Sequence, residues 1–235
     1  MASKNYRRKP ITKRKSNATS KWIFFLISFV LFLFVAIGIY KFRDGFLYYL
    51  GFKTDKNVET LSKEERKLAD IRIYEVLHKH DDKAIGFDVS EYQSEIDWEQ
   101  TYHIDESFEL SFVFIRATAG KNKVDSRFKE NWKASKEREL IRGAYHYYRP
   151  NENSIEQAEN FIKTVKLQKG DLPPVLDIEK LPKSQSIDSL KVGLRRWLKK
   201  VEKHYKVKPI IYSGESYYTD FLKEEFSDYP LWIAN

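Results

Sequence analysis

Nineteen consecutive residues without a charge, WIFFLISFVLFLFVAIGIY from Trp22 to Tyr40, set the first constraint on this chain. At about 1.5 Å per helical residue the run spans roughly 28 Å, close to the hydrocarbon thickness of a bilayer. A helix that is apolar all round needs lipid or protein on every side. Trp22 and Tyr40 stand at the two ends, where amphipathic aromatics favour a membrane interface; Lys21 precedes the run, and Lys41 and Arg43 follow it. A cleaved signal peptide has a shorter apolar region, roughly 7–15 residues, so the run reads as an uncleaved transmembrane anchor.

Charge explains the orientation. The formal net charge is +8, and it lies in the tail. Residues 1–21 hold Lys4, Arg7, Arg8, Lys9, Lys13, Arg14, Lys15 and Lys21 and no acid, while the remaining 34 basic residues equal the 34 acids. The body is therefore not a basic nucleic-acid binder. The tail outweighs Lys41 and Arg43, which keeps the N-terminus in the cytoplasm and sends the rest of the chain outside. The tail can also touch anionic headgroups. With no cysteine there is no disulfide, thiol chemistry or zinc-thiolate site. The chain divides as a cytoplasmic tail (1–21), an anchor (22–40), a juxtamembrane stalk (41–83) and one folded domain (84–235).

Within the stalk, residues 61–80 read as a helix. Leu61, Leu68, Ile71, Val76 and Leu77 give a broken apolar stripe, and Ser62 with Glu65 fits a capping box. His78, His80, Asp81 and Asp82 close that helix as solvated polar residues rather than as metal ligands.

From residue 84 short apolar runs alternate with amphipathic stretches. Strands are expected at 84–90, 110–118, 141–148, 174–179, 208–213 and 230–235. Helices are expected at 125–139, 154–166, where Ser154 and Gln157 can cap, 186–203 and 215–226. Alternation of this kind gives βαβ units and a parallel sheet. No G-x-G-x-x-G follows the first strand, so a dinucleotide crevice has no support. Polar residues near the carboxyl ends of the strands favour a β/α barrel, whose site collects there. They are Asp88, Arg116, Tyr147, Asp177, Glu179 and Tyr212.

The fourth strand, PPVLDIEK (173–180), carries the sharpest chemistry. Side chains alternate across a strand, so Val175, Asp177 and Glu179 share one face and Leu176 and Ile178 the other. In a barrel the apolar pair packs outward on helices and the acids face the mouth, their Cα atoms roughly 6.6 Å apart. Burying two neighbouring carboxylates costs several kcal/mol, on the order of the penalty for a buried ion, and raises at least one pKa. One acid then stays protonated beside an ionised partner, the state that glycoside hydrolysis requires. A lone D-x-E is also compatible with acids that pair with basic neighbours or cap a helix. Asp88, in GFDVSEY (86–92), is open to a turn or N-cap role. Tyr145 and Tyr147, in RGAYHYY (142–148), can stack on sugar rings or simply fill the core.

Together these segments resemble the glycoside hydrolase family 25 lysozymes, the Chalaropsis-type muramidases. GFDVS (86–90) with IDW (96–98) resembles the family's opening motif. FIRATAG (114–120), GAYHYY (143–148), PVLDIE (174–179), PIIYS (209–213) and YPLWIA (229–234) are similar to later strands, in order. The resemblance implies an α/β fold, an irregular TIM-like β/α barrel. It implies cleavage of the β-1,4 bond between N-acetylmuramic acid and N-acetylglucosamine in peptidoglycan, with no metal and no organic cofactor. By that match Glu179 is the general acid and Asp177 stabilises the reacting centre by orienting the substrate's N-acetyl group. Asp88 lines the site, and Tyr145, Tyr147, Arg116, Tyr212 and Trp232 bind the glycan. The second loop reads Thr118-Ala119-Gly120 where the family carries Thr-Glu-Gly. The family also continues beyond the sixth strand, so the barrel is expected to be incomplete at its C-terminal end. Two other functions fit the same residues: a non-catalytic peptidoglycan-binding or scaffold protein with a degenerate site, and a barrel hydrolase for another polymer such as chitin.

Overall fold

The computed structural model describes residues 22, 25–30, 32–33, 62–101, 103–104 and 108–234. The chain splits into two units, Met1–Ser62 and Lys63–Asn235. In the first, the described residues between 22 and 33 are helical and exposed, Trp22, Phe25 and Phe32 among them. No helix among the described residues is long and apolar enough to cross a membrane. Most of the 22–40 run, the basic tail and residues 41–61 lie outside the described residues.

The second unit opens with α1 (Lys63–Lys79), a helix with no buried residue. Its Tyr74 and His78 rings approach Phe108, at 6.2 and 5.1 Å between centroids. A sheet follows, with strands β1 (Ile85–Val89), β2 (His103–Ile104), β3 (Phe108–Ala119), β4 (Lys123–Val124), β5 (Ile141–Tyr147), β6 (Val175–Asp177), β7 (Ile210–Gly214) and β8 (Leu231–Ala234). Helices α2 (Phe128–Glu137), α3 (Ser154–Thr164) and α4 (Ile187–Tyr205) connect β4, β5, β6 and β7. The stretch before β8 is helical in three pieces, Glu215–Tyr217, a π-helical turn Tyr218–Leu222 and Lys223–Phe226.

The parallel path runs β1-β3-β5-β6-β7-β8, and β2 and β4 flank β3 as antiparallel pairs. The sheet curls into a half-barrel. Among the described residues β8 does not pair back to β1, so the expected TIM-like barrel is present as this curled sheet rather than as a closed ring. All six expected strands are there. The two-residue strands β2 and β4 were not foreseen, because two residues carry no periodicity.

Strand polarity sets the layers. Val113, Ile115, Ala144, Leu176, Ile178 and Ile211 face outward and form one core with Phe161, Leu190, Leu194, Trp197, Leu198 and Val201 of α3 and α4. Full burial of each large side chain contributes about 1.5–3 kcal/mol. The concave side is narrower. Gly86 and Gly143 leave room there for the rings of Phe112 and Phe114, which would overlap a Cβ at either glycine. Between Arg116 and Thr118 the β3–β5 register shifts by one residue. This bulge puts Ala117 and Thr118 in succession on the outer side, so that Arg116 and Ala119 both face inward.

The helix starts differ in one respect from expectation. Asn153, not Ser154, is the N-cap of α3, its Oδ1 accepting from the Ile155 and Glu156 amides. Gln157 turns inward instead of capping. Ser186 caps α4, which ends on Lys206 in the left-handed conformation.

Candidate active site

The carboxyl ends of the parallel strands meet at the mouth of the half-barrel. Asp177 is the last residue of β6, in register with Tyr147 of β5 on one side and Tyr212 of β7 on the other; Tyr212 is in turn paired with Trp232 of β8. Paired residues of neighbouring strands point to the same face, so Tyr147, Asp177, Tyr212 and Trp232 form one row across four strands. Trp232 meets Tyr212 edge-on, with ring centroids 4.9 Å apart, and lies against Phe114 at the same separation. A floor of aromatic rings with polar tips therefore surrounds a carboxylate that is only 6% exposed.

Glu179 follows two residues after Asp177 and is half-buried. Its backbone is anchored on both sides. The Ile178 amide donates to the Tyr212 carbonyl, Ser213 Oγ donates to the Ile178 carbonyl at 2.8 Å, and the Tyr217 hydroxyl donates to the Lys180 carbonyl. Meanwhile Ile178 is fully buried in the outer core. The alternation expected for PVLDIE thus holds through Ile178, with the apolar pair in the helical layer and Asp177 on the mouth side, and Glu179 lies two residues past the end of β6. Lys180 Nζ lies 5.6 Å from the centre of the Tyr147 ring.

Asp88 belongs to the same space. It keeps solvent access, yet the protein around it removes enough water to raise its carboxyl pKa, against a lowering hydrogen bond from its own backbone. Tyr145 records the convergence: burial first, then the negative fields of Asp88 and Asp177, push its phenol pKa well above the ordinary value. The phenol is therefore a permanent proton donor beside two carboxylates, steadied by a hydrogen bond with Ser90. Of the expected site residues, the structure gathers Asp88, Asp177, Glu179, Tyr145, Tyr147, Tyr212 and Trp232 at one mouth.

Arg116 stands beside them, in register with Tyr145 and close enough for its charge to act on that phenol. Its guanidinium is buried and turned to acids, with Nε 2.8 Å from Asp125 Oδ2 and Nη2 3.1 Å from Glu91 Oε1. The Tyr92 ring covers it at 4.4 Å. Asp125 also accepts from the Glu91 and Arg127 amides, and Glu91 from Ser126. Lys123 pairs with Glu91, and this contact above all pulls the Glu91 pKa down to about 2. Arg116 thus ties the turn after β1 to the β3–β4 hairpin. A charged residue facing a barrel mouth signals a ligand contact only when no acid nearby claims it, and Glu91 and Asp125 lie far from Arg116 in sequence pattern.

A second polar group supports the mouth from beneath. His146 is fully buried on the outer side of β5, stacked on Trp197. Its Nδ1 lies 2.7 Å from Thr118 Oγ1 and its Nε2 3.1 Å from Gln157 Oε1. Gln157 Nε2 donates to the carbonyls of Arg149 and Glu152, so its Oε1 is the acceptor, and the ring proton sits on Nε2. Thr118 then donates to Nδ1. Burial pushes the His146 pKa down to about 4, which keeps the ring neutral. Gln157 also accepts from the Arg149 amide, Asn160 donates to the carbonyls of Gly120 and Lys123, and Glu152 accepts from the Lys121 amide. One face of α3 thereby fixes both loops that rim the mouth. Their sequence signal is faint: polar residues on a helix face otherwise expected to be apolar. No group of three or more potential ligands among the described residues is placed to hold a metal ion.

A curled parallel sheet with carboxylates and aromatic rings at the carboxyl ends of its strands is the architecture of a barrel glycoside hydrolase. Residues 87–235 match the family described as Glycosyl hydrolases family 25, and the chain belongs to that family. It is 44% identical to the protein YegX of Escherichia coli K12 over 151 residues, covering 64% of this chain and 55% of that protein. It is 33% identical to lysozyme M1 of Streptomyces globisporus over 162 residues, 64% of this chain and 54% of the relative. The chain spans about half the length of these curated relatives. Among solved structures, a family 25 glycosyl hydrolase from Bacillus anthracis superposes with a TM-score of 0.59 at 31% identity, over 64% of this chain and 70% of that one.

Proposed function

We propose that this chain is an N-acetylmuramidase, a lysozyme that hydrolyses the β-1,4 bond between N-acetylmuramic acid and N-acetylglucosamine in peptidoglycan. In this reading residues 22–40 hold it in the cytoplasmic membrane, with residues 84–235 on the outer side. The observation that carries the reading is the Tyr147–Asp177–Tyr212–Trp232 row with Asp88 and Glu179 at the same mouth. Family membership and the likeness to a protein named lysozyme support it.

Glu179, nearer the solvent than Asp177, protonates the glycosidic oxygen as the bond breaks. Positive charge then develops on the sugar ring, and the buried Asp177 carboxylate opposes it at short range in a medium of low dielectric, until water adds at the anomeric carbon and gives its proton to Glu179, restoring the acid. Asp177 also orients the substrate's N-acetyl group. Asp88 and the Tyr145 phenol hold that carboxylate region polar, and Tyr147, Tyr212 and Trp232 present ring faces to the sugars.

The test is loss of turbidity of purified peptidoglycan by the full chain in nonionic detergent, alongside Glu179→Gln. Clearing by the wild type alone, with reducing ends that carry muramic acid, supports the muramidase. Binding without clearing by either protein replaces it with a glycan-binding module. Clearing of chitin oligomers in preference to peptidoglycan replaces it with a hydrolase of another polymer.

A further inference from the structure

The solvent crest of α4 is a single row of cations. Arg196, Lys199, Lys203 and Lys206 follow one another at spacings of three, four and three residues, and all are exposed. The flanking cations of the same helix are neutralised. Lys191 and Arg195 each lie 3.1 Å from a Glu225 carboxylate oxygen, and Lys200 lies 2.6 Å from Glu159. Glu202 sits on the flank that faces Tyr229. Arg196, Lys199, Lys203 and Lys206 have no acidic partner among the described residues. Like charges three and four residues apart on a helix repel one another, so the row works against the helix that carries it.

We propose that this crest is a docking track for a linear polyanion bearing carboxylates, namely the peptide-substituted glycan strand itself. The inference rests on the muramidase reading and extends it to a surface outside the mouth. Four cations spread over roughly 15 Å, one side chain wide, match a strand. A flat anionic membrane would press equally on the flanks, where Glu225, Glu159 and Glu202 repel it. Arg196 and Ser189 line a polar cleft with Glu152, Asn153 and Ser154, on the loop that follows β5 and its Tyr147.

The experiment uses the full chain in nonionic detergent and the variant Arg196→Gln/Lys199→Gln/Lys203→Gln/Lys206→Gln. Binding to insoluble peptidoglycan is measured against salt, with material whose peptide carboxylates have been amidated as a control. Cleavage of a glycan oligomer stripped of its peptides is measured in parallel. The variant is expected to bind native peptidoglycan at least about ten-fold more weakly and with a flatter salt dependence. Amidated material should bind both proteins alike, and the peptide-free oligomer should be cut equally. Equal binding of both proteins to native peptidoglycan overturns the proposal, as does tight binding of the wild type to amidated material. Loss of binding to anionic phospholipid vesicles but not to peptidoglycan also overturns it, in favour of a lipid surface. If the muramidase reading alone is wrong, the oligomer stays uncut by both proteins while the binding difference persists. A thermal melt by circular dichroism, with Lys199→Arg/Lys203→Arg retaining affinity, separates charge loss from unfolding.

Discussion

Glu179 and His146 are the two side chains whose chemistry is most exposed to test. General acid catalysis contributes roughly 10²–10⁴ in rate, so Glu179→Gln, which keeps shape and removes the transferable proton, is expected to lower kcat by at least about 10²-fold. Peptidoglycan binding and the melting temperature should stay close to wild type; a variant that clears peptidoglycan at the wild-type rate removes Glu179 from the acid role. His146 acts on stability. Its native pKa is about 4. Below the unfolded value near 6.5 the unfolded chain takes up a proton that the native ring refuses, so stability falls from pH 6.5 toward 4 and then levels off. At about 1.4 kcal/mol per unit the loss amounts to about 3 kcal/mol. Asp88, with a raised pKa, works in the opposite direction. The difference between wild type and His146→Gln in urea unfolding between pH 6.5 and 5 therefore isolates the ring, and parallel pH curves would contradict its assignment.

At the scale of elements, the sheet was largely legible and its fastenings were not. PVLDIE announced both its faces, because a period of two with two acids leaves one consistent arrangement. The row across β5 to β7 followed from placing Tyr147, Asp177 and Tyr212 at strand ends, and Trp232, expected in the site only through the family resemblance, extends it to β8. The destination of Arg116 was not legible, since Asp125 reaches it only through the β3–β4 hairpin, whose paired stretch is two residues long on each side. Likewise Gln157 looked like a cap, and nothing local shows that four backbone and ring groups converge on it. Two predictions belong here. Asn153→Ala removes the side-chain acceptor of the Ile155 and Glu156 amides in the first turn of α3 and should cost about 1 kcal/mol in chemical unfolding. Gly143→Ala drives a methyl group into the Phe114 ring on the crowded concave side, and is expected to cost about 1–3 kcal/mol. Phe114→Leu in the same chain should recover part of that loss. Additive losses in the double variant would mean that the two residues are not in contact.

For the whole molecule, the arrangement of charge and apolarity along the chain decides where any activity is delivered. Residues 22–235 carry as many acids as bases, and the basic residues of 1–21 sit immediately before the apolar run. Short basic segments resist translocation, whereas a domain of about 150 residues crosses largely regardless of its charge. The proposed topology therefore has one crossing, with the tail inside and residues 84–235 outside. In a bacterial host the full chain is expected to sediment with membranes and to resist both high salt and alkaline carbonate, which strip proteins held by charge alone. Protease added to spheroplasts should digest residues 84–235 and spare an N-terminal fragment. Replacing the eight basic residues of the tail by glutamine should scramble this orientation without releasing the chain from the membrane. Release by carbonate would show that residues 22–40 do not span the bilayer, and protection of the domain in spheroplasts would place the site on the wrong side for peptidoglycan.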